Sequence, residues 1–410
     1  MHAQSYRALL RQADIAELLL AAGLARLAGR MFLLAIVLYA LDRFGSPLLA
    51  GWIGFAAMAP GLLVSPVAGA LLDRLGGPGA IVLDMACSAA LLLGLVALRL
   101  ADADSAPVVL ALAGLYALTN PLSAAGIRVM LPRLVPPNAL QRTNALDTAI
   151  HAVVEVIGPA LAGAIFAVAG GGAAMLAIAL LYAAAGLVLR PALRRAPPAI
   201  APRHRALLVE ALAGIGYLFR HRSLRALALA YALYNAAWGA LLVAVPVAVA
   251  ALLPGSAEDL AVGGLWAVSG LAAGLGALVA GRFGGPGREH RVMALGMLAS
   301  GVAVYPLCAS FGLAGLAAGL AAFGFLAGPV DVAVLTLRQR RTDPAWLGRV
   351  MAVSMSLNLS GAPIGSALGG VLATRSAALA FAAAALACAL AALAAWLLLP
   401  ARPESPPMTQ

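Results

Sequence analysis

The sequence predicts an all-α membrane protein: twelve transmembrane helices in two six-helix bundles related by a parallel repeat. Three observations carry this. First, 63% of the 410 residues are hydrophobic and 10% are charged, with a mean hydropathy of +0.98; a soluble domain needs more charge to cover its surface. Second, apolar runs of roughly 18 or more residues recur between short polar turns, without the polar–apolar alternation of a barrel wall. Third, the chain repeats itself. The stretch 69–79 aligns without a gap with 277–287 at an offset of 208, so that Arg74, Gly76, Gly77, Pro78 and Gly79 match Arg282, Gly284, Gly285, Pro286 and Gly287, while Asp73 faces Gly281. Leu140, Arg142 and Ala145 match Leu347, Arg349 and Ala352 at an offset of 207. Two matches at nearly one offset mark a duplicated unit, and an even number of spans per unit points both copies the same way.

The predicted spans are 16–40, 48–72, 80–100, 107–130, 141–169, 173–192, 224–252, 260–281, 291–310, 313–337, 348–372 and 376–399. Each is long enough to cross an apolar layer of about 30 Å. The division is therefore an N-terminal bundle over 1–192, a basic linker over 193–223, and a C-terminal bundle with a short tail over 224–410. The net charge of +11 does not indicate nucleic acid, because the charge lies in the turns. All 27 basic residues are Arg; with the N-terminus inside, 22 fall in inside segments, Arg43, Arg99 and Arg375 fall outside, and Arg26 and Arg30 lie within the first span. This asymmetry predicts an inner-membrane, multi-pass protein with both termini cytoplasmic. Cys87, Cys308 and Cys388 sit in apolar runs, so no disulfide framework is expected. The first run carries Arg26 and Arg30 and no cleavage site follows it, so no cleavable signal peptide is expected. In the linker, Ala206 to Phe219 reads either as a helix on the membrane surface or as part of an ordinary basic connection.

Gly69, Leu71, Asp73, Arg74 and Gly76 stand between spans two and three in a pattern that resembles the loop signature of the major facilitator superfamily. Two six-span halves and a long basic central loop strengthen the resemblance, which covers nearly the whole chain. The basic pair that usually follows the signature is replaced by Gly77 and Pro78. The stretch 131–145 leading to Gly158, Pro159 and Gly163, together with Gly348 to Met351 before span eleven, resembles the enterobactin-exporter and macrolide-efflux branch. The resemblance implies the major facilitator fold, alternating access, a small-molecule substrate held between the halves and a loop that latches one conformation. Asp73 and Arg74, with Asp84 and Arg128 near the inner ends of spans three and four, are the candidate latch; the bland alternative is a set of solvated interfacial charges.

Span five carries the most informative intramembrane set. Asp147, His151 and Glu155 are four residues apart and share one helix face. Ionisable groups at that depth are costly, so they read as candidates for proton or substrate handling; the alternative is that they bond one another or a neighbouring helix. Pro159 removes a backbone hydrogen bond, while Gly158 and Gly163 permit close helix contact; Pro363 repeats the device in span eleven. Arg26 and Arg30 share a face of span one and need an acid or an anionic ligand, with Glu155, Asp331 or substrate as partners for Arg30. Asp331, in span ten, is a second proton or cation candidate, or a partner of Arg338 or Arg340. Asn120, Asn235, Asn358, Tyr234 and Trp238 are polar or aromatic groups that would either orient an amphipathic substrate or hold helices together.

The expected function is proton-coupled efflux of a small amphipathic, drug-like or siderophore-like molecule, by a monomer embedded in the lipid bilayer. The alternatives are an importer or uniporter on the same fold, and a non-transporting membrane protein such as a scramblase or sensor. There is no Walker loop, no dinucleotide-binding context and no spacing for metal ligands, so neither enzymatic activity, a cofactor nor a metal is expected.

Overall fold

The computed structural model describes residues 9, 11–62, 64, 77–119, 123, 130, 134, 137–195, 216–253, 255–283, 288–342, 354 and 357–399. The helices are α1 (Ala13–Phe44), α2 (Pro47–Ala56), α3 (Gly77–Leu100), α4 (Ala106–Thr119), α5 (Pro137–Arg195), α6 (Arg222–Ala250), α7 (Ser256–Phe283), α8 (Glu289–Ser310), α9 (Gly312–Arg341), α10 (Gly361–Ala373) and α11 (Ala377–Leu398). Among the described residues there is no strand, and seven helices are long and apolar enough to cross a membrane. Where described, the predicted spans correspond to helices. For spans two, four and eleven, the described helix is mainly the part distant from the chain termini.

Local chemistry sets the turns. Gly45, at φ 59°, ends α1 in the left-handed region, and its N–H bonds Leu41 O at 2.8 Å. Ser46 then caps α2, its Oγ accepting from Leu49 N at 3.3 Å, with Pro47 in the first turn, where a missing N–H costs little. Ser376 caps α11 in the same way. Spans five and six form one assigned helix, α5, whose one non-helical residue is Gly170 at φ 78°, ψ 176°. The backbone stays helical through Pro159, so the break between the spans lies at Gly170. Pro363 lies within the apolar helical stretch Leu357–Ala373, which is interrupted at Ser360, three residues before it, where a proline's missing N–H leaves the helix unbonded.

The helices fall into two packed groups. α1 packs on α5 and α2, and α3 on α5 and α4; α6 packs on α10 and α11, α7 on α9, and α8 on α9 and α11. The groups meet mainly through α5 against α7 and α2 against α10, with lighter contacts of α6 on α1 and α2. Both seams are made by glycine. A Cβ on Gly163 would press on Asp259 O and sit 2.8 Å from the Gly263 Cα, and one on Gly51 would sit 2.8 Å from the Gly370 Cα. Backbones approach this closely only where side chains are absent. Each of these residues lies in the half of its helix distant from the termini, so among the described residues the bundles are closed on that face.

Candidate functional site

Nearer the terminal face, charged side chains of both bundles stand exposed or half-buried, and the space they border is the candidate cleft. On one wall α1 and α5 run together. Gly158 brings them close: a Cβ there would be 2.7 Å from the Arg30 Cβ. The approach sets the two arginines of α1 against the acids of α5. Arg26 forms a bidentate pair with Asp147, Nη1 to Oδ1 at 2.6 Å and Nη2 to Oδ2 at 3.0 Å. Two parallel charge-assisted bonds fix orientation as well as distance. One turn deeper, Arg30 pairs with Glu155, and His151 Nε2 lies 3.3 Å from the same Glu155 oxygen. Of the partners the sequence allowed for Arg30, Glu155 is the one it meets. These groups stay in contact with the cleft: the side chains of Arg30, Glu155 and His151 are 33%, 34% and 49% exposed.

The opposite wall belongs to α6 and α9. Asp331 is exposed and accepts a hydrogen bond from the Tyr231 hydroxyl at 2.5 Å. Asp331 pairs with neither arginine that its spacing suggested. Arg340 bonds Glu289 at 2.5 Å, and Arg338 is buried, with Nε and Nη2 lacking a hydrogen-bond partner among the described residues. The helix turn explains this: Arg340 is nine residues on and faces α8, while a cavity-facing acid already has a phenol within reach.

The remaining candidates divide. Asn235 is half-buried and bonds the Tyr231 carbonyl at 3.0 Å, and Trp238 meets the buried Trp266 edge-on, centroids 5.8 Å apart. Tyr234 is not a cleft residue. It is buried, bonds Ser300 at 2.9 Å and stacks on Phe323, so its ring lies in the packing of α6 on α8 and α9. Asn358 is buried too, with Oδ1 unpartnered among the described residues. Asp84 is buried and not solvated: it accepts from Ser123 N at 3.1 Å and Ser88 Oγ at 3.2 Å, tying α3 to Ser123. Gly69, Asp73, Arg74, Gly76, Asn120 and Arg128 lie outside the described residues.

Two groups were missed from the sequence. Tyr231 was visible only as the start of a Tyr231, Asn235, Trp238 series at helical spacing. At the far face, Asp104 is buried and takes a hydrogen bond from Tyr39 and an ion pair from Arg43 at 3.1 Å, with Arg99 at 3.9 Å. Burial pushes the Asp104 carboxyl up, but the Tyr39 hydrogen bond and Arg43 outweigh it and hold the group below the usual carboxylate range.

Two packed helical groups that meet through close glycine contacts and carry accessible charged side chains within their apolar spans define the class of membrane protein in which one bundle rocks against the other around a central site. The family model described as Major Facilitator Superfamily matches residues 18–285, and the chain belongs to that superfamily. It is therefore a secondary transporter that works by alternating access. A relative from Sinorhizobium fredii (strain NBRC 101917 / NGR234), named "Uncharacterized MFS-type transporter y4rN", is 48% identical over 377 residues, 92% of this chain and 93% of the relative. Solved structures share the fold. A point mutant of the nucleoside transporter NupG matches at TM-score 0.74 and 13% identity over 94% of this chain and 100% of its own. A bacterial homologue of the iron transporter ferroportin in the inward-facing state matches at TM-score 0.69 and 19% identity over 96% and 99%.

Proposed function

We propose that the chain exports a small amphipathic molecule across the inner membrane in exchange for protons. The observation that carries this reading is an accessible acid on each bundle, Glu155 beside Arg30 and His151, and Asp331 beside Tyr231. A carboxylate held inside the membrane can take up a proton or a cation in its place. A group able to exchange those two couples transport to a proton gradient. Efflux is supported by the resemblance of 131–145 and 348–351 to the exporter branch. In this reading the termini are cytoplasmic, residues 193–223 join two rocking bundles, Asp73 and Arg74 latch the conformation opposite to the one described, and the cleft here faces inward.

The test is reconstitution of the purified protein in vesicles with an imposed pH gradient. Proton-driven flux that Glu155→Gln abolishes, at normal expression and folding, supports the coupling. Flux that persists unchanged in Glu155→Gln would sink it, and flux independent of the gradient would favour a uniporter on the same fold.

A further inference from the structure

The ionisable side chains of the cleft do not balance. On the α1–α5 wall each arginine is taken by an acid: Arg26 by Asp147, Arg30 by Glu155. Asp331, on the other wall, has a neutral hydroxyl as its hydrogen-bond partner. Among the described residues of this set, Asp331 is therefore the carboxylate with no arginine in ion-pair contact, and it stands on an exposed side chain. The arginines of α9 make no ion pair with it. Arg340 is engaged by Glu289, Arg341 bonds Ser223 Oγ at 3.2 Å, and Arg338 is buried, seven residues or roughly 10 Å further along the helix axis.

The surface beside the spare acid is aromatic. Tyr231, Asn235 and Trp238 follow at spacings of four and three, on one face of α6, and all three are half-buried. An acid next to aromatic rings attracts a cation that also carries an apolar body, because the ring faces and the carboxylate favour the same charge. A hard divalent metal would need several oxygen ligands, and this wall offers one carboxylate and a phenol. An anion would have to displace an existing arginine–carboxylate pair.

Resting on the transporter reading above, we propose that the cleft binds an organic monocation, with its charge on Asp331 and its apolar body against Tyr231 and Trp238. A proton on Asp331 removes the same charge, so proton and substrate compete for one carboxylate. The groups that face Asp331 agree with single occupancy. Tyr231 approaches from α6 with the buried Tyr234 behind it, Glu155 with Arg30 and His151 stands on the α1–α5 wall, and Arg338 lies buried further along α9. Glu155 is held by Arg30, which leaves Asp331 to bind the cation.

Two probes of one shape and opposite charge test this: tetraphenylphosphonium and tetraphenylborate, titrated onto the full-length protein in lipid nanodiscs, with empty nanodiscs subtracted. Tetraphenylphosphonium is expected to bind, and to bind about tenfold more weakly at about pH 5 than at about pH 8. Asp331→Asn is expected to lose about tenfold in affinity together with the pH dependence, Asp331→Glu to keep both, and Tyr231→Phe to lose a few-fold. Retention of Asp331→Glu binding excludes misfolding as the cause. Tetraphenylborate binding above background, or tetraphenylphosphonium binding that Asp331→Asn leaves intact, overturns the proposal. The two readings fail separately. Proton-driven flux of anions, without binding of the phosphonium, removes the cation class and keeps the transporter. Binding as described, with no flux of the phosphonium in vesicles, leaves the cation site standing and removes its role as a transport site.

Discussion

Replacing Gly163 by leucine should hold the far face of the protein open. A Cβ alone at this position would press on Asp259 O and lie 2.8 Å from the Gly263 Cα and 2.9 Å from the Gly263 N. Non-bonded heavy atoms rest at about 3.5–4.0 Å, so α5 and α7 must separate by about 1 Å for the first carbon and further for the rest of a leucine. Neither neighbour can yield by rotating a side chain, because the contacts are backbone. Overpacking of this kind costs about 1–3 kcal/mol. The open state avoids that cost, so the closed-to-open ratio should fall roughly 5- to 150-fold. The assay is thiol labelling of Ala160→Cys, beside Gly263 in the same seam, by a membrane-impermeant maleimide in a background with Cys87, Cys308 and Cys388 replaced. Labelling should be slow with Gly163 present and faster by about tenfold or more in the Gly163→Leu variant, while transport falls. Unchanged labelling with unchanged transport would refute the claim that this glycine contact closes the far face.

Other perturbations follow from the same geometry. Gly158→Leu should push α1 away from α5 and separate Arg30 from Glu155, since even a Cβ there lies 2.7 Å from the Arg30 Cβ; gradient-driven flux should fall while Asp331-dependent probe binding is retained. Arg30→Ala should cost about 1–2 kcal/mol in thermal unfolding, between the surface and buried limits because the cleft screens the pair, and the Arg30→Ala, Glu155→Ala double variant should recover part of the loss. Asp104 sets a pH dependence. Its carboxyl is held low in the folded state, so its contribution is full above about pH 4, the unfolded value, and is lost as pH falls through the lower folded value. The melting-temperature gap between the native protein and Asp104→Asn should therefore be constant near neutrality and close on strong acidification.

The architecture was legible because it follows from patterns that a membrane imposes locally. Apolar runs of spanning length, arginines in the turns and matches at nearly one offset each report on a single stretch of chain or on its copy. The acidic face of α5 was legible for the same reason: four-residue spacing places Asp147, His151 and Glu155 in line whatever surrounds them. The partners were less so. Arg30 had more than one acid within its possible reach, and helix packing through Gly158 chose Glu155. Asp331 had two arginines on its own helix, yet its neighbour is Tyr231, 100 positions away in the chain and ordinary in its own context. Tyr234 read either as a substrate contact or as a group that holds helices together, and it lies in the core, where tertiary packing sets it on Ser300 and Phe323.

What the sequence by itself determined is therefore the kind of solvent, the number of spans, the duplication and the set of charges available inside the membrane. Only the tertiary structure decided which of those charges cancel. Pairing depends on distances of a few ångströms between helices far apart in the chain, and those distances are set by glycines whose role is visible only when the opposing backbone is in view. The outcome, among the described residues of the cleft, is a wall on which each arginine has its acid, and, across from it, an acid left without an arginine.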